Sequence, residues 1–296
     1  MRMKTAMRRP RAVTCTLHAL CLALVVGDTL RKGAWLDQTK HTRTFGRSHA
    51  PVYYRQTTVQ WLINLLNQRA TRSMDIYEFG VYTGDRMRDF AKRVVGFGHL
   101  WGFDSFTGIP NGMQEWIPHA SWQAGGMSAS DALKVWNEKA LFEKLRQHIK
   151  YDNLSFVAGF YNESLTDELA TQRHFQPALL VHLDCNLYVS TLQAMRWLLR
   201  SRLLLPSTIV RYDDWPGNMT RMSWQQQIAY WRKKGREPPP DPVWGQMRAH
   251  VEVTDEFRVE WRRLGRNAFE AVSIGVTAQP AISPEATAHC RFPPCF

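Results

Sequence analysis

The chain has 296 residues, enough for one large domain with extensions. Apolar residues make up 44% and charged residues 22%, ordinary globular usage that excludes disorder along the whole length. A net charge of +12 would suit a nucleic-acid partner, but residues 1–50 carry 10 Lys/Arg against 2 Asp/Glu and the remainder only 28 against 24. The folded part therefore has no large excess of positive charge to place on a phosphate backbone.

Arg2, Lys4, Arg8, Arg9 and Arg11 precede an apolar run over 12–26, followed by Gly27. That run is shorter than the about 20 residues a membrane span needs, yet a basic head, a short apolar stretch and a small residue are the anatomy of a targeting or anchoring leader. Residues 1–27 are expected to be that leader, pointing to the secretory pathway or an organelle, with membrane contact confined to 12–26. Residues 28–51 read as a linker, 52–276 as the domain and 277–296 as a Pro- and Ala-rich tail. Of the five cysteines, Cys15 and Cys21 lie in the leader, Cys185 in the domain, and Cys290 and Cys295 in the tail, with no zinc-ligand spacing among them.

Within the domain, Val59, Leu62, Ile63 and Leu66 recur at helical spacing and predict a first helix. DIYEF (75–79) predicts a strand ending in Gly-Val-Tyr-Thr-Gly, and Met87, Phe90, Ala91 and Val94 give the apolar stripe of the next helix. HLWGF (99–103) and LSFVA (154–158) predict two more strands. ALLVHL (178–183) is nearly all apolar, as a parallel strand covered on both faces should be. A helix over 190–203, capped by Ser190 or Thr191, a fifth strand STIVR (207–211) and a helix over about 221–234 follow. Two strand-like runs, 257–263 and 268–276, flank Leu264-Gly265-Arg266-Asn267 and predict a hairpin. Strands alternating with helices and closed by a hairpin make an α/β fold, its sheet mostly parallel with an antiparallel edge.

Three stretches stand at the carboxyl ends of predicted strands, the rim at which open α/β sheets bind ligands. In Glu78-Phe79-Gly80-Val81-Tyr82-Thr83-Gly84 the two glycines allow a tight turn and close approach of a ligand to the backbone, with Glu78 as an acceptor. Asp104, 20 residues beyond Gly84, is placed to accept both hydroxyls of a ribose. Asp184 follows the fourth strand and Asp213-Asp214 the fifth. Three carboxylates at one rim repel unless a cation lies among them, and oxygen donors suit a hard divalent ion, Mg²⁺ above all. The bland alternative is that Asp213 or Asp214 caps the following helix.

The segments EFGVYTG, GFDSFTGIP, HLDCNLYVST and YDDW, in that order over roughly 52–276, resemble the macrocin O-methyltransferase-like family of S-adenosylmethionine-dependent methyltransferases. The resemblance implies a Rossmann-like class I methyltransferase fold: a seven-stranded, mostly parallel sheet, its last strand antiparallel, with helices on both faces. It implies that Glu78, Gly80 and Gly84, with Tyr82 and Thr83 between them, line the methionine end of S-adenosyl-L-methionine. Asp104 would then hold the ribose, with Ser105 and Phe106 beside the adenosine. Asp184, Asp213 and Asp214 would bind Mg²⁺, which orients a hydroxyl of a small molecule or sugar. Relatives commonly read D-x-D-L-Y, whereas here Asn186 stands in the second acid's place and cannot take a proton. Asp184 is then the expected base; His182, two residues earlier, and His119 are the other candidates. A noncatalytic cofactor-binding relative and a nucleic-acid methyltransferase are the competing readings, the latter disfavoured by the domain's near-balanced charge; a homo-oligomer remains open. The Gly-, Trp- and Met-rich segment 111–130 is expected to form a lid or a packed surface loop.

Overall fold

The computed structural model describes residues 59–111, 115–116, 122–215, 222–240, 243–265 and 267–275. The leader, linker and tail lie outside the described residues, as does His119. In chain order the elements are α1 (Val59–Arg69), β1 (Asp75–Phe79), α2 (Asp85–Arg93), β2 (Leu100–Asp104), α3 (Ala129–Leu133), α4 (Glu138–Ile149) and β3 (Leu154–Ala158). Then come α5 (Tyr161–Ser164), α6 (Asp167–Gln172), β4 (Ala178–Leu183), α7 (Tyr188–Arg200) and β5 (Ile209–Tyr212). The chain continues through α8 (Trp224–Lys233), α9 (Gly245–Phe257), β6 (Val259–Arg263) and β7 (Ala268–Ile274). Among the described residues no helix is long and apolar enough to cross a membrane.

The strands form one sheet of order β3-β2-β1-β4-β5-β7-β6. The first five are parallel, and β7 runs antiparallel to both its neighbours. The expected hairpin is present, but its second arm is not at the edge: β7 enters between β5 and β6. Burial explains the order. The first four residues of β7 are buried, whereas β6 alternates between covered and exposed, so the more apolar arm takes the interior place.

Every residue of β1 and β4 is buried, as two-sided cover requires. On one face Tyr77, Phe79, Val181 and Leu183 pack with Leu192, Met195 and Leu198 of α7 and Ala249 and Val253 of α9. On the other, Ile76 and Leu180 meet Leu62 and Leu66 of α1, Met87 and Phe90 of α2, and Leu141, Leu145 and Ile149 of α4. Helices therefore cover both faces. The α7 boundary departs from the expected 190–203: the helix starts at Tyr188, no side chain caps it locally, and Thr191 instead donates its hydroxyl to Leu187 O at 2.8 Å.

At the amino end of β1, Asp75 is buried and accepts from His99 N at 2.8 Å, Trp101 Nε1 at 2.9 Å and Gln176 N at 3.0 Å. One carboxylate thus ties β2, an indole and the approach to β4 together. Asp75→Ala strands three donors, and the expected loss is roughly 3 kcal/mol or more, with a smaller loss for Asp75→Asn. Urea unfolding checks both; a loss in Asp75→Ala no larger than in an ordinary surface substitution would refute the role.

Candidate active site

The sheet's ladder runs one residue past the ends of its central strands. Gly80 N donates to Phe103 O at 2.9 Å, Asp184 N to Phe79 O at 2.8 Å and Asp213 N to Leu183 O at 2.9 Å. Gly80, Asp184 and Asp213 are therefore held by main-chain bonds at one rim. A cavity of about 830 Å³ opens there, lined among others by Glu78, Gly80, Tyr82, Asp104, Asp184 and Asn186.

Gly80 is the cradle's tight point. Its φ is +93°, and a Cβ there would lie 2.0 Å from Asp184 O, so no side chain fits. Asp104 grips the loop that follows: Oδ2 accepts from Val81 N at 2.7 Å and Tyr82 N at 2.9 Å, and Oδ1 from Phe106 N at 2.7 Å. Burial pushes the Asp104 pKa up against those three bonds. The expected ribose acceptor is thus first a clamp on the glycine loop, with three of its about four lone-pair positions engaged by main-chain N–H groups. Ser105 and Thr83 also line the cavity.

Two expected cofactor contacts do not line the cavity. Gly84 has φ +80°, and a Cβ there would meet Ile149 Cδ1 at 3.1 Å and Leu145 Cδ2 at 3.3 Å. Its role is close packing of α2 on α4, not approach of a ligand. Phe106 is buried against Phe142 and Phe156, at ring separations of 5.1 and 5.9 Å; its backbone, not its ring, serves the site.

His182 is also corrected. It has no exposure and does not line the cavity. Strand register sets Glu78, His182 and Arg211 side by side on β1, β4 and β5. His182 Nδ1 lies 3.2 Å from Glu78 Oε1, its Nε2 meets Arg211 Nη1, and Arg211 Nη1 reaches Asp213 Oδ1 at 2.8 Å. Burial opposes protonation of His182, but Glu78 and Asp213 outweigh it and lift the pKa to about 8. The imidazole is a link in an enclosed ionic row, walled by Phe90, and is out of reach of an acceptor hydroxyl.

That row separates the three expected cation ligands. Asp213 is held well below the usual carboxylate range, first by His182 at 3.8 Å and then, against its own burial, by Arg211. Asp184 is pushed up to about 6, mainly by burial, with Asp213 and Glu78 adding to the rise. Asp214 is pushed up to about 8 by burial and then by Asp184 and Asp213. Burial of Asp184 and Asp214 therefore outweighs the positive charge of His182 and Arg86 near Asp184 and of His182 near Asp214. Glu78, His182 and Asp184 have ligand atoms within 4.8 Å of one another, a group that does not include Asp213 or Asp214. Both ring nitrogens of His182 are taken up within the ionic row, Nδ1 by Glu78 and Nε2 by Arg211 with Asp213 at 3.8 Å.

Two contributors were not read from the sequence. Glu115 accepts from Tyr188 N at 3.1 Å and Val189 N at 3.3 Å, supplying from segment 111–130 the cap that α7 lacks. Gln246, fully buried in α9, donates to Leu183 O at 3.0 Å and accepts from Asp214 N at 2.9 Å, fixing the acid's backbone. A polar residue inside the apolar stripe Met247-Ala249-Val253 was the available signal for Gln246; nothing local marks Glu115. The described part of segment 111–130 is packed: Ile109 N donates to Gly126 O at 2.9 Å, and Trp116 sits 4.9 Å from the rings of both Trp231 and Trp244.

A seven-stranded sheet of this order with a reversed β7, a glycine turn after β1 and acids after β2, β4 and β5 define a Rossmann-like class I methyltransferase. Residues 58–226 match the family model of the macrocin-O-methyltransferases (TylF), so the chain belongs to the TylF macrocin-O-methyltransferase family and is an S-adenosylmethionine-dependent O-methyltransferase. No curated protein matches the chain. Among solved structures it is similar to CalS11, a calicheamicin methyltransferase (18% identity, TM-score 0.46, covering 91% of this chain and 99% of that one). It is also similar to the O-methyltransferase NovP (16%, 0.44, covering 72% and 79%). A third is the O-methyltransferase TomG from Streptomyces achromogenes, involved in tomaymycin synthesis (13%, 0.39, covering 73% and 78%).

Because the Gly80 Cβ position is occupied by Asp184 backbone, Gly80→Ala must push β1 and β4 apart at the rim. The expected result is loss of S-adenosylhomocysteine binding by at least tenfold together with lowered stability. Calorimetric titration and thermal unfolding check it; retention of both properties would show that the cradle is looser than its geometry.

Proposed function

We propose that this enzyme methylates a hydroxyl of a small molecule or sugar with the help of Mg²⁺ held by Asp184 and Asp214, with Asp213 alongside. The observation that carries the reading is the double position of Asp184. Its backbone oxygen closes the glycine cradle, the residue lines the cavity, and its carboxylate is coupled electrostatically to Asp213 and Asp214. Cofactor and cation are thereby referred to one residue, and alignment of the reacting atoms alone can supply about 7–11 kcal/mol.

Bound S-adenosylmethionine would supply an electrophilic methyl group, and Mg²⁺ would lower the pKa of an acceptor hydroxyl. The chain's own residues do the rest. Gly80 lets β4 close against the end of β1, and the loop clamped by Asp104 lines the cavity that would take the cofactor. Asp184, its proton affinity raised by burial, is the carboxylate placed to accept the hydroxyl proton. Asn186 contributes differently from an acid: its φ is +61°, and its N–H donates to Asp214 Oδ2 at 3.1 Å. It orients Asp214 through the backbone, and the residue itself lines the cavity.

The test is methyl transfer from labelled S-adenosylmethionine to a panel of hydroxylated acceptors, with and without Mg²⁺, in the parent chain, Asp184→Asn and Asp214→Asn. Transfer that requires Mg²⁺ in the parent and is lost in both variants is expected; equal transfer with a chelator present would sink the metal role. The elevated pKa values give a second outcome. A carboxyl group titrating near 8 holds its proton at pH 6 and must release it to a cation, so Mg²⁺ binding should tighten from pH 6 to pH 8 and release protons. Titration in two buffers of different ionisation enthalpy measures that release; a pH-independent affinity would contradict it.

A further inference from the structure

We infer that the turn closing α8 is a docking surface for an anionic lipid bilayer, a contact separate from the one expected of residues 12–26. Residues 51–296 carry 28 Lys/Arg against 24 Asp/Glu, and Arg232, Lys233, Lys234 and Arg236 supply four of those cations from a stretch that holds no acid. Without them the balance is 24 against 24, so the whole positive excess of the domain sits at one turn. All four residues are exposed. Among the described residues none of the four has an acidic partner, whereas Arg196, Arg248 and Arg262 pair with Glu256, Glu252 and Glu270.

The turn has a fixed shape. Gly235, at φ +68°, ends the helix, its N–H donating to Arg232 O at 2.9 Å while Arg236 N donates to Trp231 O at 3.0 Å. Tyr230 is 37% exposed beside it, with Lys234 Nζ 6.0 Å from the ring. Trp116 Nε1 donates to Glu237 O at 2.9 Å, and Glu115 next to Trp116 caps α7, whose Val189 and Gln193 line the cavity. The basic turn is thereby joined to one wall of the cavity. Cations in a last turn also answer the helix dipole, and Arg232 and Lys233 are placed for that; Lys234 and Arg236 lie beyond the helix, so the dipole accounts for two charges and not for four. A nucleic-acid strand asks for cations strung along a groove that tracks its backbone. A leaflet of acidic headgroups is met by a compact cluster with an aromatic ring at the interface, and one turn beside Tyr230 has that form.

Co-sedimentation of the full chain with phosphatidylcholine vesicles carrying about 30% phosphatidylserine, against vesicles of phosphatidylcholine alone, is the test. Binding to the acidic vesicles, weakened by salt, and at least about tenfold weaker binding to the neutral ones are expected. Lys233→Gln should cost about fivefold, and Arg232→Gln, Lys233→Gln, Lys234→Gln and Arg236→Gln combined at least about 100-fold, with the circular dichroism of the fold retained. Equal binding to the two compositions overturns the inference. So does a combined variant that binds acidic vesicles like the parent, which assigns the contact to the basic residues 2–11 instead. If the combined variant fails to fold, unchanged affinity in Lys233→Glu has the same force. Tighter binding of single-stranded RNA than of acidic vesicles, lost through the same four residues, makes the turn a nucleic-acid contact and likewise overturns it.

Discussion

A guanidinium buried within a sheet has to be neutralised within its own layer, and Arg211 on β5 meets that demand through Asp213 on one side while abutting His182 on the other. Removing one member of such an enclosed ionic row leaves its partners charged and unpaired, which costs about 3–5 kcal/mol. The consequence reaches past stability. By engaging Asp213 at 2.8 Å, Arg211 leaves Asp184 and Asp214 as the acids whose burial keeps their pKa values raised. The protonation of the remaining rim acids is thus set in part by a pairing made at the end of β5.

The same economy governs the cradle. Asp104 accepts three main-chain N–H groups from the turn after β1 and its own turn after β2, so the loop that would meet the nucleoside is stiffened from the neighbouring strand. Gly84 and Phe106 support it from behind, one by letting α4 approach α2, the other by filling the space between Phe142 and Phe156. Loop shape is therefore dictated by packing on the side away from the cavity. Preorganisation of this kind leaves little to rearrange when a ligand arrives.

The sheet was legible because its central strands are short, mostly apolar runs that end in turn-forming or acidic residues, as DIYEF and ALLVHL do. The rim acids were legible for the same reason, since strand ends are easily placed. Side-chain direction was not. His182 and Asp184 are two residues apart with their ligand atoms within 4.8 Å of one another, yet His182 is sealed between Glu78 and Arg211 while Asp184 lines the cavity. The start of α7 was misplaced since its cap, Glu115, lies 73 positions upstream of Tyr188 and cannot be seen in any local window. The helices α4 and α9 carry few apolar residues between many polar ones, so their stripes are faint in the sequence, and Gln246 is buried on the covered side of α9.

The insertion of β7 between β5 and β6 has a bearing on how the molecule is made. Until residues 268–274 have left the ribosome, β5 has an open flank of unpaired amide and carbonyl groups, although the other strands of the parallel core are already synthesised. An exposed strand flank is a template for pairing with another chain, and long-range closure is slow. The nascent protein is therefore most vulnerable to self-association just before its final hairpin is complete, and a chaperone that shields β5 would be of more use to it than one that shields any helix.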